Sequence, residues 1–266
     1  MTSTSLRDRI ALTVHRSRAA CKSASGSLRR RLDAVRDADA LLMYHRVLPD
    51  AADASAIEPG MYVRASTFQH HLDALQSRWE LVTLSSLLES PRDDRPRVAL
   101  TFDDGWRDNL ETAWPILERH GARATIFLVT GWCEAGRNAE GTFMRPGEIR
   151  DLAAAGMEFG AHTMSHPALD TLDPERVRAE LEGSKRAVAR WTGQPCRVFA
   201  YPYGRRTPNV ETIAASTFAA SVVVGGGWWC RSGDLACLPR IAIHDDMAST
   251  RALFEERLVD GLRGHR

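Results

Sequence analysis

The stretch Val98-Ala99-Leu100-Thr101-Phe102-Asp103-Asp104-Gly105 decides how the rest of the chain is read. Its first half is short, apolar and partly β-branched, with Pro96 before it and Gly105 at its end. That combination predicts a buried strand rather than a helix. A strand that runs out of a core into two adjacent carboxylates is costly unless something compensates the charge. Side chains alternate faces along a strand, so Asp103 and Asp104 diverge unless the chain turns, and Gly105 allows such a turn. Two readings stay open on this octapeptide. One is a metal ion held by one carboxylate with the other left free as a base; the other is ordinary Asp-Asp-Gly turn chemistry.

Further along, His162-Thr163-Met164-Ser165-His166 places two imidazoles four residues apart, on one side of a turn or short helix. Two neutral imidazoles and a carboxylate are a ligand set that leaves zinc an open coordination position. No Glu lies between the histidines, so this is not the H-E-x-x-H metalloprotease pattern. Phe199-Ala200-Tyr201-Pro202-Tyr203-Gly204 follows as another strand end that turns at Pro and Gly.

TFDDG, HTMSH and FAYPYG in this order resemble the polysaccharide deacetylases (the NodB-homology domain, carbohydrate esterase family 4), over roughly residues 40–262. The resemblance implies a distorted (β/α) barrel that removes acetyl groups from amino sugars with one divalent metal ion, most often zinc. It also implies roles: Asp103 matches the catalytic base, and Asp104, His162 and His166 match the metal ligands. The backbone N–H of Tyr203 matches the oxyanion donor; Pro202, lacking an N–H, cannot serve.

The chain departs from the widespread family pattern in two places. Ala200 stands where an Arg usually contacts the catalytic Asp. No clear Leu-x-His element closes the chain, since Ile243-His244-Asp245 matches it only approximately. The pattern is closer to the circularly permuted branch that processes poly-N-acetylglucosamine, in which an N-terminal Tyr-His element supplies the general acid. Met43-Tyr44-His45-Arg46-Val47 matches that element, which makes His45 the expected acid and His244 its competitor. Tyr201 and Trp228 are candidate substrate-binding aromatics; for the Trp228-Trp229 pair, stacking on a sugar and packing in the core are both open.

Around these motifs the 266-residue chain alternates strands and helices. Strand signals fall at 41–44, 81–84, 98–102, 125–129, 157–159, 197–200, 221–224 and 238–243. Helical patterns fall at 68–79, 109–120, 146–155, 174–191, 209–216 and from 249 onward. This alternation predicts a parallel α/β sheet or barrel, and the three motifs sit at strand ends, where parallel barrels gather their sites.

Residues 1–39 hold nine basic side chains against four acidic ones, so the remainder is net acidic within a total charge of +1. They are expected to form a basic extension, partly disordered or an amphipathic helix through Leu6, Ile10 and Val14, ahead of a catalytic domain at 40–266. The near-neutral total argues against a nucleic-acid partner. The lack of a continuous apolar leader predicts a cytoplasmic location, with peripheral contact to the inner membrane surface through residues 1–20. Five scattered cysteines without a CxxC indicate neither a disulfide framework nor a cysteine zinc site. The partner expected is an N-acetylated carbohydrate. Two other readings stand beside it: a non-catalytic carbohydrate-binding protein on the same fold, or another metal-dependent amidohydrolase.

Overall fold

The computed structural model describes the chain except residues 1–16, 24–25, 36–37, 90–95, 140, 230–233 and 263–266. At its centre is a curled parallel sheet built from β1 (Ala40–Tyr44), β4 (Glu80–Val82), β5 (Arg97–Phe102), β6 (Thr125–Leu128), β7 (Glu158–Ala161), β8 (Val198–Ala200), β9 (Ala220–Val222) and β10 (Ile241–Ala242). A separate parallel pair, β2 (Arg46–Leu48) and β3 (Tyr62–Arg64), lies beside it. The helices are α1 (residues 17–23), α2 (Ser27–Asp33), α3 (Ala65–Gln76), α4 (Leu84–Glu89), α5 (Trp114–Arg119), α6 (Thr130–Ala135), α7 (Pro146–Ala154), α8 (Pro174–Thr192), α9 (Pro208–Thr217), α10 (Asp245–Ala248) and α11 (Arg251–Gly261).

β5 is buried along its whole length, as a strand covered on both faces must be. It pairs with β1 on one side, Tyr44 opposite Phe102. Its other edge is shared by β4 near the start of the strand and β6 near the end. From β6 the sheet runs through β7 and β8 to β9. The two ends are joined by one segment. β10 pairs with β1 through Leu42–Ile241 and Met43–Ala242. Just upstream, the Leu238 N–H donates to Ser221 O at 2.8 Å, and Leu238 O accepts from the Val223 N–H at 2.9 Å. Residues 238–242 therefore bridge both edge strands and curl the sheet into a barrel.

Side-chain parity then selects what faces the interior. Leu41, Ala99, Phe127, Val198, Val222 and Leu238 form one inner cluster, separate from the larger core under the helices. Stepping by two along each strand carries Leu41 to His45, Ala99 to Asp103 and Leu238 to Arg240. Gly160 keeps the interior open on β7, since a Cβ there would stand 2.5 Å from the Phe127 ring. Two residues on from it is His162.

The expected helix over 174–191 is α8, capped by the Asp173 carboxylate on Arg176 N at 2.9 Å and ended by Gly193 in the left-handed region. The single helix expected over 109–120 is instead a π-helical turn (Asn109–Ala113) leading into α5, because Pro115 supplies no N–H to the helical ladder. The 81–84 strand stops at Val82, and Leu84 already opens α4.

Part of the 1–39 stretch packs on the barrel. Leu28 and Leu32 are buried, and Lys22 pairs with Glu256 of α11. Leu6, Ile10 and Val14 lie outside the described residues. No helix among the described residues is long and apolar enough to cross a membrane. Cys21, Cys133, Cys196 and Cys237 are free thiols; Cys230 lies outside the described residues.

Candidate active site

The rim where β1, β5, β7, β8 and β10 end gathers Asp103, Asp104, His162 and Arg240, all buried, with half-buried His45 and His166. Asp103 follows the inward parity of β5, and its N–H donates to Tyr44 O at 3.0 Å, which ties it to the end of β1 beside His45. Asp104 would point outward on a regular strand. It is brought back by its own backbone, at φ 77°, followed by Gly105 at φ 81°. A side chain at 105 would meet the Leu128 side chain at 2.8 Å. The reversal thus needs both residues, and the first is the aspartate itself.

Left-handed backbone is uncommon for residues other than glycine. Among the described residues it is adopted by Asp104, Thr163, His166 and Tyr203, and by no other non-glycine residue. All four belong to the three motifs. Strain of this kind persists only where the surrounding structure over-determines it. In the HTMSH turn the constraint is visible: Glu180 of α8 accepts from the N–H groups of Met164 (2.7 Å) and Ser165 (3.0 Å) and from the Ser165 hydroxyl (2.5 Å). Thr163 Oγ1 accepts from the His166 N–H at 2.9 Å. Glu180 lies outside every motif, and sequence reading did not single it out.

Three donor atoms converge. His162 Nε2 and His166 Nε2 are 3.2 Å apart and stand 3.5 and 3.6 Å from Asp104 Oδ1. His162 Nδ1 donates to Ala200 O at 2.7 Å, which leaves its Nε2 as an inward lone pair. His166 Nδ1 stands 3.1 Å from Tyr203 Oη, and the tautomer that donates to that hydroxyl also turns a lone pair inward. Asp104 Oδ2 is held by the Trp106 indole N–H at 2.9 Å. Burial pushes both imidazoles down to about 4, with His162 adding to the effect on His166, so both are neutral near pH 7. Donors about 2.0–2.1 Å from a tetrahedral zinc ion stand about 3.3 Å from one another. The spacing, the neutral imidazoles and the carboxylate fit such an ion.

Asp103 is not part of that triad. Burial alone would raise its pKa, but the Arg240 guanidinium overrides this and holds the carboxyl well below the usual carboxylate range. The pair is bidentate, Nη1 to Oδ1 at 2.6 Å and Nη2 to Oδ2 at 2.7 Å. Arg240 also donates to Thr101 Oγ1 and Val223 O, and it is fully buried. It supplies the cation missing at Ala200, from a different strand. An Arg among the apolar residues of the 238–243 strand was the available signal.

His45 is among the charges acting on Asp103, His162 and His166. Its carbonyl accepts from Asn109 Nδ2 at 2.9 Å. His244 occupies the N-cap position of α10, its Nδ1 3.3 Å from Asp246 Oδ2. Tyr203 is 61% exposed, its ring against His166 with centroids 4.6 Å apart. The two candidate substrate-binding aromatics are elsewhere. Trp228 is fully buried, donates to Leu258 O at 2.9 Å and packs on Trp79, so it belongs to the core under α11. Tyr201 is likewise buried, edge-on to Phe199 with its hydroxyl on Ala236 O. Neither offers a face to a ligand. Trp229 is also buried.

The polysaccharide deacetylase family model matches residues 90–219, which include the strand before TFDDG, HTMSH and FAYPYG. Residues 90–219 carry a polysaccharide deacetylase domain. The YxkH protein of Bacillus subtilis is 25% identical over 219 residues, covering 79% of this chain and 73% of that protein. The peptidoglycan-N-acetylglucosamine deacetylase of Bacillus cereus is 32% identical over 119 residues, 44% of this chain and 39% of its own length. Among solved structures, the deacetylase PplD of Streptococcus pyogenes, in complex with acetate, superposes with a TM-score of 0.74 at 24% identity. The match covers 85% of this chain and 99% of that one. The deacetylase fold expected from the motifs is therefore the fold observed.

Proposed function

We propose that this deacetylase domain is a metal-dependent hydrolase that removes the acetyl group from an N-acetylated sugar. The observation that carries the reading is the side-by-side arrangement of an Asp104–His162–His166 donor set and a second carboxylate, Asp103, kept separate and ionised by Arg240. A purely binding protein has no need of a base beside a metal site. The main support for a non-catalytic reading, the missing Arg at position 200, falls away because Arg240 supplies it. The named activity of the Bacillus cereus relative points the same way.

When bound at Asp104, His162 and His166, a divalent ion, zinc in this proposal, supplies Lewis acidity toward the acetyl carbonyl and acidifies a water. The residues do the rest. Asp103, on the interior face, takes the proton of the attacking water. The Tyr203 N–H, set by the left-handed turn at Pro202–Gly204, donates to the developing oxyanion. His45, at the end of β1 next to Asp103, gives a proton to the departing amine. This assignment of His45 places the chain with the permuted branch, in which an N-terminal Tyr-His element supplies the acid.

Acetate release from N-acetylglucosamine oligomers, with chelator and then with zinc restored, tests the proposal. Release lost to chelator and regained with zinc is expected. Chelator-insensitive release would exclude the metal mechanism, and no release from any acetylated sugar would return the binding-protein reading.

A further inference from the structure

The two histidines of the donor set are held in place by different means. His162 directly follows β7 and extends its pairing: its N–H donates to Leu128 O at 2.9 Å, and its Nδ1 donates to Ala200 O at 2.7 Å. His166 stands four residues on, at the far end of a turn whose two ends, Thr163 (φ 69°) and His166 (φ 59°), are both left-handed. Backbone of that kind keeps its shape only where its surroundings impose it. The position of His166 therefore depends on whatever holds the turn.

Two helices hold it. From α6, the Thr130 N–H donates to Thr163 O (3.1 Å) and the Gly131 N–H to Met164 O (2.8 Å). A Cβ at position 131 would stand 2.7 Å from that Met164 oxygen. From α8, one oxygen of Glu180 accepts from the N–H groups of both Met164 and Ser165, and its other oxygen accepts from the Ser165 hydroxyl. Gly183 lies three residues further along α8, on the same face. It makes room for the Met164 side chain, since a Cβ there would stand 2.2 Å from Sδ. The α6 hydrogen bonds come from backbone N–H groups, which most substitutions would keep. Those from α8 depend on a single side chain, Glu180.

Building on the metal-dependent reading, we propose that Glu180 is a positioning residue for the metal site. Through the HTMSH turn it sets where His166 stands relative to His162 and Asp104, and so how tightly the three hold a divalent ion. It acts by accepting hydrogen bonds rather than by its charge. Without it His162 keeps its place on the sheet, and His166 loses the register that brings its Nε2 to 3.2 Å from His162 Nε2.

The zinc affinity of the folded protein, measured at about pH 7 by competition with a chromophoric chelator, reads this effect. A contribution to stability alone would leave that affinity unmoved. Glu180→Ala is expected to weaken zinc binding at least about tenfold, the usual scale for a partner that orients a metal ligand. In Glu180→Gln the amide oxygen can take both N–H groups while the NH₂ donates to the Ser165 hydroxyl, so its affinity should stay within about threefold of wild type. Glu182→Ala, which removes an exposed carboxylate paired with Arg186 on the same helix, should leave the affinity unchanged. If Glu180→Ala does not fold, Glu180→Asp, one methylene shorter, takes its place with the same expectation. An alanine variant within about threefold of wild type, or a glutamine variant as weak as the alanine one, overturns the proposal. Tight zinc binding by the wild type with no loss in Glu180→Ala would refute the role of Glu180 alone. A wild-type protein that takes up no zinc would refute the metal reading, and this proposal with it.

Discussion

Replacing Arg240 by Met tests the electrostatic core of the site without touching a metal ligand. In the wild-type protein Asp103 is buried yet ionised, because two guanidinium nitrogens sit 2.6 and 2.7 Å from its oxygens. Taking the Arg away leaves a buried carboxylate with no countercharge, a change that costs about 3–5 kcal/mol of stability. The carboxyl can escape part of this by taking up a proton, so the cost depends on pH. In the wild type the depressed pKa of Asp103 adds stability that is present above the unfolded-state value and is lost as pH falls through the lower folded-state value. In the Arg240→Met protein burial is opposed only by the weaker influence of the neighbouring imidazoles, and it raises the folded-state pKa above the unfolded one. The penalty is then full at high pH and is relieved as pH falls through the raised value.

Urea unfolding in excess chelator, at about pH 7 and about pH 5, reads both effects without a contribution from metal binding. The expected result is a loss of about 3 kcal/mol or more at the higher pH and a smaller loss at the lower one. Adding Asp103→Asn to Arg240→Met removes the buried charge and should recover much of the loss; the shortfall from additivity measures the coupling of the pair. In the same Arg240→Met protein the acid limb of kcat/KM should move to higher pH, since the base must be ionised to work. A single substitution that costs less than about 1 kcal/mol, or a double mutant no more stable than the single, would refute this account of Asp103.

His162→Ala should abolish zinc binding, whereas Asp103→Asn should retain zinc and lose turnover; identical metal content and activity in the two would end the separation of ligand from base. His45→Ala should remove the alkaline limb of the pH–rate profile, and a normal profile would pass the acid role to another group. His71 is buried between Tyr44 Oη (3.2 Å) and Ala248 O (2.8 Å), and burial lowers its pKa to about 4. As pH falls from about 6.5, the unfolded chain takes up a proton that the folded chain refuses until about 4, so this residue removes about 3 kcal/mol of stability over that window. A His71→Phe protein should lack that share of the acid loss, measured by urea unfolding across the same range; an unchanged slope would contradict it.

The parts of the molecule legible in the sequence are those where local signals agree. TFDDG shows its strand by composition and its turn by Gly105, and HTMSH shows paired imidazoles by spacing. α8 shows both ends, in Asp173-Pro174 and Gly193. What sequence reading missed depends on contacts between distant segments. Composition leaves Trp228 open to a sugar-binding rim or to the core, and its indole N–H finds a partner on α11 while its ring finds Trp79, which draws it into the core. Tyr201 is sequestered in the same way by Phe199 and Ala236. Glu180 looks like one more charge on a polar helix face, yet it satisfies two N–H groups of the strained HTMSH turn.

Arg240 shows why reading a motif position by position can report a loss where none exists. Inside a small barrel, what matters for a charge on Asp103 is the interior parity and height of its partner, and any strand can supply these. β8 and the segment leading into β10 both point side chains into the same space. With Ala200 small on one, the other can send a full arginine across, its guanidinium 5.6 Å from the Phe127 ring centre and its fork on Asp103. A linear pattern records only that residue 200 is not Arg. The physical requirement, a buried cation within bonding distance of a buried carboxylate, is met forty residues later. If the two positions are equivalent in this sense, moving the guanidinium back should work: Ala200→Arg in an Arg240→Met background should recover part of the lost stability. A double mutant weaker than Arg240→Met alone would show that the β10 origin of the cation matters as much as its charge.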